Sequence, residues 1–248
     1  MDTLFVVLWH DEPRRDPSGP AELRTEISRA VAEPLARLGV SRYLVNVRDA
    51  EVEGALIDVR VTSRTFRAAV RVRVPVASAT ACGDLLEALR GLGPVSAWSV
   101  TASEVLVAEE HETAAGELPP EGLRCDGMAN IAFLRRPARL TREEWLQFWL
   151  EEHTSVAVET QSTIGYTQHA VVRALTGDAP GIEGIVEEVF PLGAVTDLGV
   201  FFDSRGDDAR MAAHTGAMTA STGRFLDDGT VDAIPTGRYV MGVRGQTV

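Results

Sequence analysis

Short apolar runs alternate along the chain with amphipathic stretches, and the order of the two repeats. "TLFVVLWH" reads as a strand buried on both faces, and "GPAELRTEISRAVAEPLARLG" places its apolar residues at helical spacing, with Gly39 as a stop. "RYLVNV" is a short strand. In "FRAAVRVRVPV", Ala68, Val70, Val72 and Val74 fall on one face and Arg67, Ala69, Arg71 and Arg73 on the other. "TACGDLLEALRGLG" is a second helix, and "VSAWSVTASEVLVAEE" closes the unit as a strand. Residues 49–66 fit no period and are expected to form an insertion with a strand of its own.

The run from Ala108 to Gly127 is acidic, contains Pro119-Pro120 and has no period, so it reads as a linker. Beyond it the order recurs. "MANIAFLRRP" is a strand, Arg142 to about Thr160 a helix, "TIGYTQHAVVRAL" and "GIVEEVF" strands, "GDDARMAAHTGAMTASTGRFLDD" a broken helix and "TGRYVMGV" a final strand. A faint echo of Tyr43-x-x-Asn46 in Tyr166-x-x-His169 fits a duplication. The division is residues 1–110, a linker at 111–127, and residues 128–248. Twice βαββαβ predicts an α+β protein of two tandem ferredoxin-like units, each a four-stranded antiparallel sheet with its helices on one face. The other sheet faces are apolar too, so the two sheets are expected to pack together as an intrachain dimeric α+β barrel.

One helix stands out. Thr141 to Glu144 is a T-x-x-E capping box, and Leu140 with Trp145 fits the accompanying hydrophobic staple. At about 100° per residue, His153 falls about 40° from Trp149 and about 60° from Leu150. Trp145, Leu146, Phe148, Val156 and Ala157 complete that broad face, and Glu151 points away. The histidine therefore projects toward the sheet. By itself such a residue reads first as a packed core histidine bonded to backbone, and only second as a functional group.

Composition narrows the chemistry. The net charge of −12 argues against nucleic acid or an anionic membrane as partner. All 24 cationic side chains are arginine. The absence of lysine excludes Schiff-base chemistry on a lysine and a P-loop. No stretch reaches the ~20 apolar residues of a membrane span, and the apolar start of the chain reads as a strand rather than a signal peptide. Cys82 and Cys125 show neither metal-ligand spacing nor a disulfide framework, which points to a reducing cytoplasm. G-x-S-x-G, H-E-x-x-H, C-x-x-C and a G-x-G-x-x-G in a βαβ setting are missing. No metal site is expected.

"LTREEWLQFWLEEHTSVAVETQ", followed by "GYTQHAV" and "IEGIVEEVF", resembles the EthD family of dimeric α+β barrel proteins over most of residues 128–243. The first half resembles the degenerate first unit of two-domain members. The resemblance implies that His153 corresponds to the family's helix histidine and Glu187 to its strand glutamate; Glu183 stands where that motif more usually has aspartate. It also implies one site per chain, in the second half, since the first helix has Pro34 and Leu35 where the His153 motif would fall.

On this reading His153 and Glu187 are the catalytic pair. Glu187, on the strand face of Ile185 and Val189, would have its charged form disfavoured and would orient the imidazole; the alternative is that Glu187 faces solvent at a sheet edge and Glu188 faces inward. Trp145, Phe148 and Trp149 form the apolar wall, and Tyr166, Gln168 and His169 contribute from the next strand, whose two faces the sequence does not rank. Arg71 and Arg73 are expected on a solvated face, and His10 and His111 to be structural or exposed. His214, Met211 and Met218 lie on the interrupted helix, which can act as a lid. The expected function is a cofactor-independent lyase or isomerase of the dehydratase, cyclase or isomerase type, acting on an apolar ring-bearing metabolite such as an aromatic, polyketide-like or lactone compound. A non-catalytic small-molecule binding or accessory protein is the alternative, and a haem-binding protein a weaker one. The expected partner is the small molecule alone, with the chain a monomeric pseudo-dimer or a homodimer.

Overall fold

A computed structural model describes residues 1–10, 19–108 and 118–243. The first half runs β1 (Asp2–His10), α1 (Pro20–Arg37), β2 (Arg42–Val47), β3 (Thr65–Val74), α2 (Gly83–Arg90) and β4 (Val95–Leu106). Then follow β5 (Leu123–Arg124), β6 (Met128–Leu134), α3 (Arg142–Leu146), a π-helical segment Gln147–His153 and α4 (Thr154–Thr160). The chain ends with β7 (Gly165–Ala174), β8 (Gly184–Phe190), α5 (Leu198–Phe201), α6 (Asp208–Phe225) and β9 (Asp232–Gly242).

Among the described residues, eight strands close into an antiparallel barrel in the order β2-β3-β1-β4-β7-β8-β6-β9, with β9 returning to β2. Each half supplies four neighbouring strands in the order second, third, first, fourth. The seams are β4 against β7, where Val100 faces Val171, and β9 against β2, where Tyr239 faces Val45. Closure within one chain removes the sheet edges that would otherwise invite pairing with other chains.

Strand alternation separates the cores. Leu4, Val6 and Leu8 of β1 pack outward with Leu23, Ile27, Val31 and Leu35 of α1. Phe5, Val7 and Trp9 point into the barrel, where they meet Trp98, Phe133 and Ile185. On the outer face of the second half, Trp145, Trp149, Tyr166, Val186 and Phe225 form a third cluster. Each such side chain contributes about 1.5–3 kcal/mol by leaving water. α1 starts with Pro20 in its first turn and is followed by Gly39 at φ +69°, the left-handed position where glycine is unstrained.

Three sequence expectations change. Residues 49–66 hold a 3-10 turn at Ala50–Val52 and a single bridge from Val59 to Ala233, with no strand of their own among the described residues. The linker contributes β5, which pairs Leu123 and Arg124 with Val240 and Tyr239. The expected broken helix is the continuous α6. Glycine costs about 1 kcal/mol in a helix, but Asp207 caps the start by accepting from the Arg210 amide. The hydroxyls of Thr215, Thr219 and Thr222 bond back one turn, which satisfies them without breaking the helix.

Candidate functional site

The capping box at Thr141 forms as the sequence implies, with the Glu144 amide donating to Thr141 Oγ1 at 3.2 Å and the Thr141 amide to Glu144 Oε2 at 2.8 Å. Beyond Leu146 the helix widens into a π turn that ends on His153. π turns carry more residues per revolution than the 3.6 of an α-helix, so His153 is rotated from the position a uniform helix gives it. Its ring lies 4.8 Å from that of Phe225 on α6. Thr154 anchors the distortion, donating back to the Leu150 carbonyl at 2.7 Å while accepting from Gln168 Nε2 at 2.8 Å.

The indoles of Trp145 and Trp149 approach the sheet closely because β8 opens on a glycine. Trp145 and Trp149 are fully buried with ring centroids 4.9 Å apart. A Cβ on Gly184 would meet Trp149 at 2.7 Å and Trp145 at 2.9 Å. Between this helical layer, α6 and the outer sheet face lies a cavity of about 280 Å³. Trp149 and His153 line one side of it. Asn130, Tyr166 and Glu188 form a row across β6, β8 and β7 on the other, with Glu188 opposite both neighbours in register. Phe201, Met218 and Phe225 help to enclose it.

His153 Nδ1 is 2.9 Å from Ser221 Oγ on α6, and Nε2 has no hydrogen-bond partner among the described residues. Burial pulls the imidazole down to about 4, so it is neutral near pH 7. Glu188 faces the same cavity between Asn130 and Tyr166 and makes no ion pair or hydrogen bond among the described residues. Burial pushes its carboxyl up to about 7. Burial also raises the Tyr166 phenol. The Asn130 and Gln161 side-chain oxygens are buried without a protein partner, and both residues line the cavity. Buried polar atoms are ordinarily satisfied, and unsatisfied ones around a cavity are suited to a ligand.

The His153–Glu187 pair expected from the sequence does not form. Strand alternation turns Glu187, opposite Ile131 and Thr167 in register, into the barrel interior and Glu188 toward His153. Glu187 lies 3.0 Å from Arg238 and 3.5 Å from Arg71. Burial alone would raise its carboxyl, but the two guanidiniums outweigh burial and hold it below the ordinary carboxylate value. Arg71 is correspondingly buried in the barrel rather than solvated, whereas Arg73 is exposed as expected. His169 joins this network, not the cavity. Its Nε2 is 3.2 Å from Arg71 Nη1 and its Nδ1 3.3 Å from the Ile185 carbonyl. Because a guanidinium only donates, Nε2 accepts and Nδ1 carries the proton. Burial, then Arg71, lowers this imidazole to about 3.

The other expected residues divide. Trp149 and Tyr166 line the cavity; Gln168 positions Thr154; Trp145 packs behind Trp149. Phe148 is half-buried under the Arg224 guanidinium, 4.4 Å from its ring centre, and does not line the cavity. Glu183 binds Arg136 at 3.0 Å and Arg142 at 3.1 Å, a structural clamp at the start of the helix. His214 Nδ1 lies 2.6 Å from the Phe202 carbonyl, and Met218 of the same helix lines the cavity. His111 lies outside the described residues. Sequence reasoning missed Asn130, Gln161 and Ser221, and held Glu188 only as the alternative to Glu187. Glu188 was legible as the residue on the strand face of Val186, once the helix-facing side of β8 is known. No three His, Cys, Asp or Glu side chains converge as metal ligands among the described residues. Among the described residues no helix is long and apolar enough to cross a membrane.

No protein-family model matches this chain, and no curated protein matches it. Solved structures do. An anthrone oxidase-like protein aligns over 100% of this chain and 94% of its own, at 11% identity and a TM-score of 0.50. A mutant chlorite dismutase from Candidatus Nitrospira defluvii covers 96% of this chain and 90% of its own, at 12% identity and a TM-score of 0.45. A dye-decolorizing protein from V. cholerae covers 97% and 93%, at 9% identity and 0.46. At these identities it is the fold alone that is shared.

Proposed function

We propose that this protein is a cofactor-independent lyase or isomerase that moves protons on an apolar, ring-bearing metabolite, with His153 as general base. The observation that carries the reading is His153 itself: a neutral imidazole at the wall of an apolar cavity, with one nitrogen tied to Ser221 and the other without a protein partner. If Nδ1 donates to Ser221 Oγ, the lone pair of Nε2 is left for a substrate proton. Abstracting a proton from a carbon beside a carbonyl needs a stronger base than an imidazole held at about 4, and the bound substrate is what would supply the increase. Negative charge growing on a bound substrate would favour the imidazolium and raise the basicity as the proton moves. Trp149, Tyr166 and Phe225 supply the planar apolar walls that a ring system fits.

In this reading the two halves are ferredoxin-like units, supported by their matching element order and strand order. The second half is the EthD-like one, supported by the helix histidine facing a cavity. We place the protein in the cytoplasm, on its two cysteines in 248 residues and the absence of any framework between them. The name of the anthrone oxidase-like neighbour adds anthrones to the compounds worth assaying. Haem fits poorly. A cavity of about 150 Å³ holds benzene, so 280 Å³ has room for about two fused rings and not for a tetrapyrrole.

A carrier would have the same apolar walls, and the experiment separates it from an enzyme. Protein purified from cell extract is stripped in organic solvent, the released compound identified by mass spectrometry, and that compound returned to fresh protein. Conversion to a second mass or an isomer supports the proposal; release unchanged after long incubation identifies a carrier.

A further inference from the structure

Resting on the reading of His153 as base, we infer that Glu188 is the acid of the same site and that the substrate class is an enolisable ring ketone of about two fused rings bearing hydroxyls. The Glu188 carboxyl projects from the centre of the strand row Asn130–Glu188–Tyr166 into the cavity that His153 faces from the helical side. No arginine, amide or hydroxyl donates to it among the described residues. Its neighbour Glu187 is held ionised by Arg71 and Arg238. Nothing does this for Glu188, so its neutral form is the one the cavity stabilises. A neutral carboxylic acid donates one hydrogen bond, and the ligand is the acceptor left for it.

The step balances without a further reactant. His153 Nε2 takes the proton from the carbon beside the carbonyl, and that C–H pair becomes the carbon–carbon double bond of the enol. The carbonyl π pair moves to oxygen, which receives the Glu188 proton. Return of the protons at another carbon gives an isomer. Where a hydroxyl stands β to the carbonyl, its departure with a proton gives water and an unsaturated ketone. The side-chain oxygens of Asn130 and Gln161 lack protein partners and suit hydroxyl groups on the ring, which explains why an otherwise apolar cavity holds two carboxamides. The titratable groups lining the cavity are His153, Glu188 and Tyr166. α6 brings only uncharged hydroxyls, methionine and apolar side chains to it, and the Arg224–Glu152 pair lies on its outer side.

The test is exchange of the ring α-protons of 2-tetralone for deuterium, followed by proton NMR at a series of pH values. The wild type is expected to accelerate exchange over buffer, with a rate that is level between about pH 4 and 7 and falls above 7 as Glu188 ionises. Glu188→Gln, which keeps a donor but cannot ionise, is expected to lose roughly 10²-fold in rate and the fall above pH 7. Glu188→Ala serves as the second variant, and circular dichroism of each checks the fold. An unchanged rate and profile in both folded variants overturns the assignment of Glu188. So does a wild-type rate that climbs through pH 7, which would make Glu188 the base. No acceleration by the wild type at saturating 2-tetralone overturns the ketone class. His153→Ala separates the two claims: exchange undiminished in that variant sinks the reading of His153, whereas its loss alongside an unaffected Glu188→Gln sinks only the role of Glu188.

Discussion

Glu187 and Glu188 are consecutive on β8 and sit in opposite electrostatic surroundings, the first between two arginines inside the barrel and the second unpaired at the cavity beneath His153. One carboxyl is held below its ordinary value and the other is raised to about 7. Sheet alternation alone produces the contrast, because neighbouring side chains leave a strand on opposite faces.

Opposite shifts give opposite stability slopes. An unfolded glutamate ionises near 4.3, while folded Glu188 keeps its proton to about 7. Between those values the folded chain binds more protons than the unfolded one, so this group makes stability fall as pH rises. Denaturant titrations of Glu188→Gln and wild type at pH 4.5 and 7.5 are expected to diverge by on the order of 3 kcal/mol, with the variant more stable at the higher pH. His153 acts in the other direction. Its folded value of about 4 lies below the ordinary 6.5, so its contribution is present above pH 6.5 and is lost as pH falls toward 4.

Replacing Glu187 strands two buried guanidiniums. Glu187→Ala is expected to lower stability by about 3–5 kcal/mol, the cost typical of removing one member of a buried ion network. Glu187→Gln, which keeps hydrogen-bonding capacity, is expected to lose less. Equilibrium unfolding in urea measures both. In wild type the contribution of Glu187 is complete above about pH 4.3 and is lost as pH falls through its depressed folded value.

Gly184→Ala places a methyl group against both indoles, at 2.7 and 2.9 Å from the nearest carbons. Overpacking of this kind costs about 1–3 kcal/mol. Because Trp149 also lines the cavity, binding of 2-tetralone is expected to weaken severalfold, read by tryptophan fluorescence. A variant with wild-type stability and wild-type binding would show that the indoles give way freely.

Ser221 is expected to fix the tautomer of His153. Long-range nitrogen–proton NMR of the wild type should show the proton on Nδ1. Ser221→Ala should mix the tautomers and lower kcat about tenfold with KM little changed, the split expected of a positioning residue. A histidine already protonated on Nε2 in the wild type would remove its lone pair from the cavity and contradict the mechanism.

Much of the architecture was legible in the chain because period and punctuation are local properties. The T-x-x-E box at Thr141, the stop at Gly39 and the two-residue alternation of β3 each act over a few residues, and each appears where the pattern implies. Alternation also separates Glu187 from Glu188 correctly, but it does not say which side of β8 faces the helices and which the barrel. That depends on closure of the barrel, which pairs β2 with β9, two strands more than a hundred residues apart in the chain. The π turn was hidden for a similar reason. A uniform 100° step brought His153 to the sheet side, but its neighbours there, Ser221 and Phe225, come from α6, which the sequence pattern presents as interrupted by glycines.

The most direct measurement is single-turnover conversion of the stripped native compound by wild type and His153→Ala at pH 7, with thermal unfolding recorded on both. The account predicts a loss of roughly 10²–10⁴-fold in the chemical step, with the compound still bound and the unfolding temperature little changed. Conversion at the wild-type rate by a folded His153→Ala protein would contradict it.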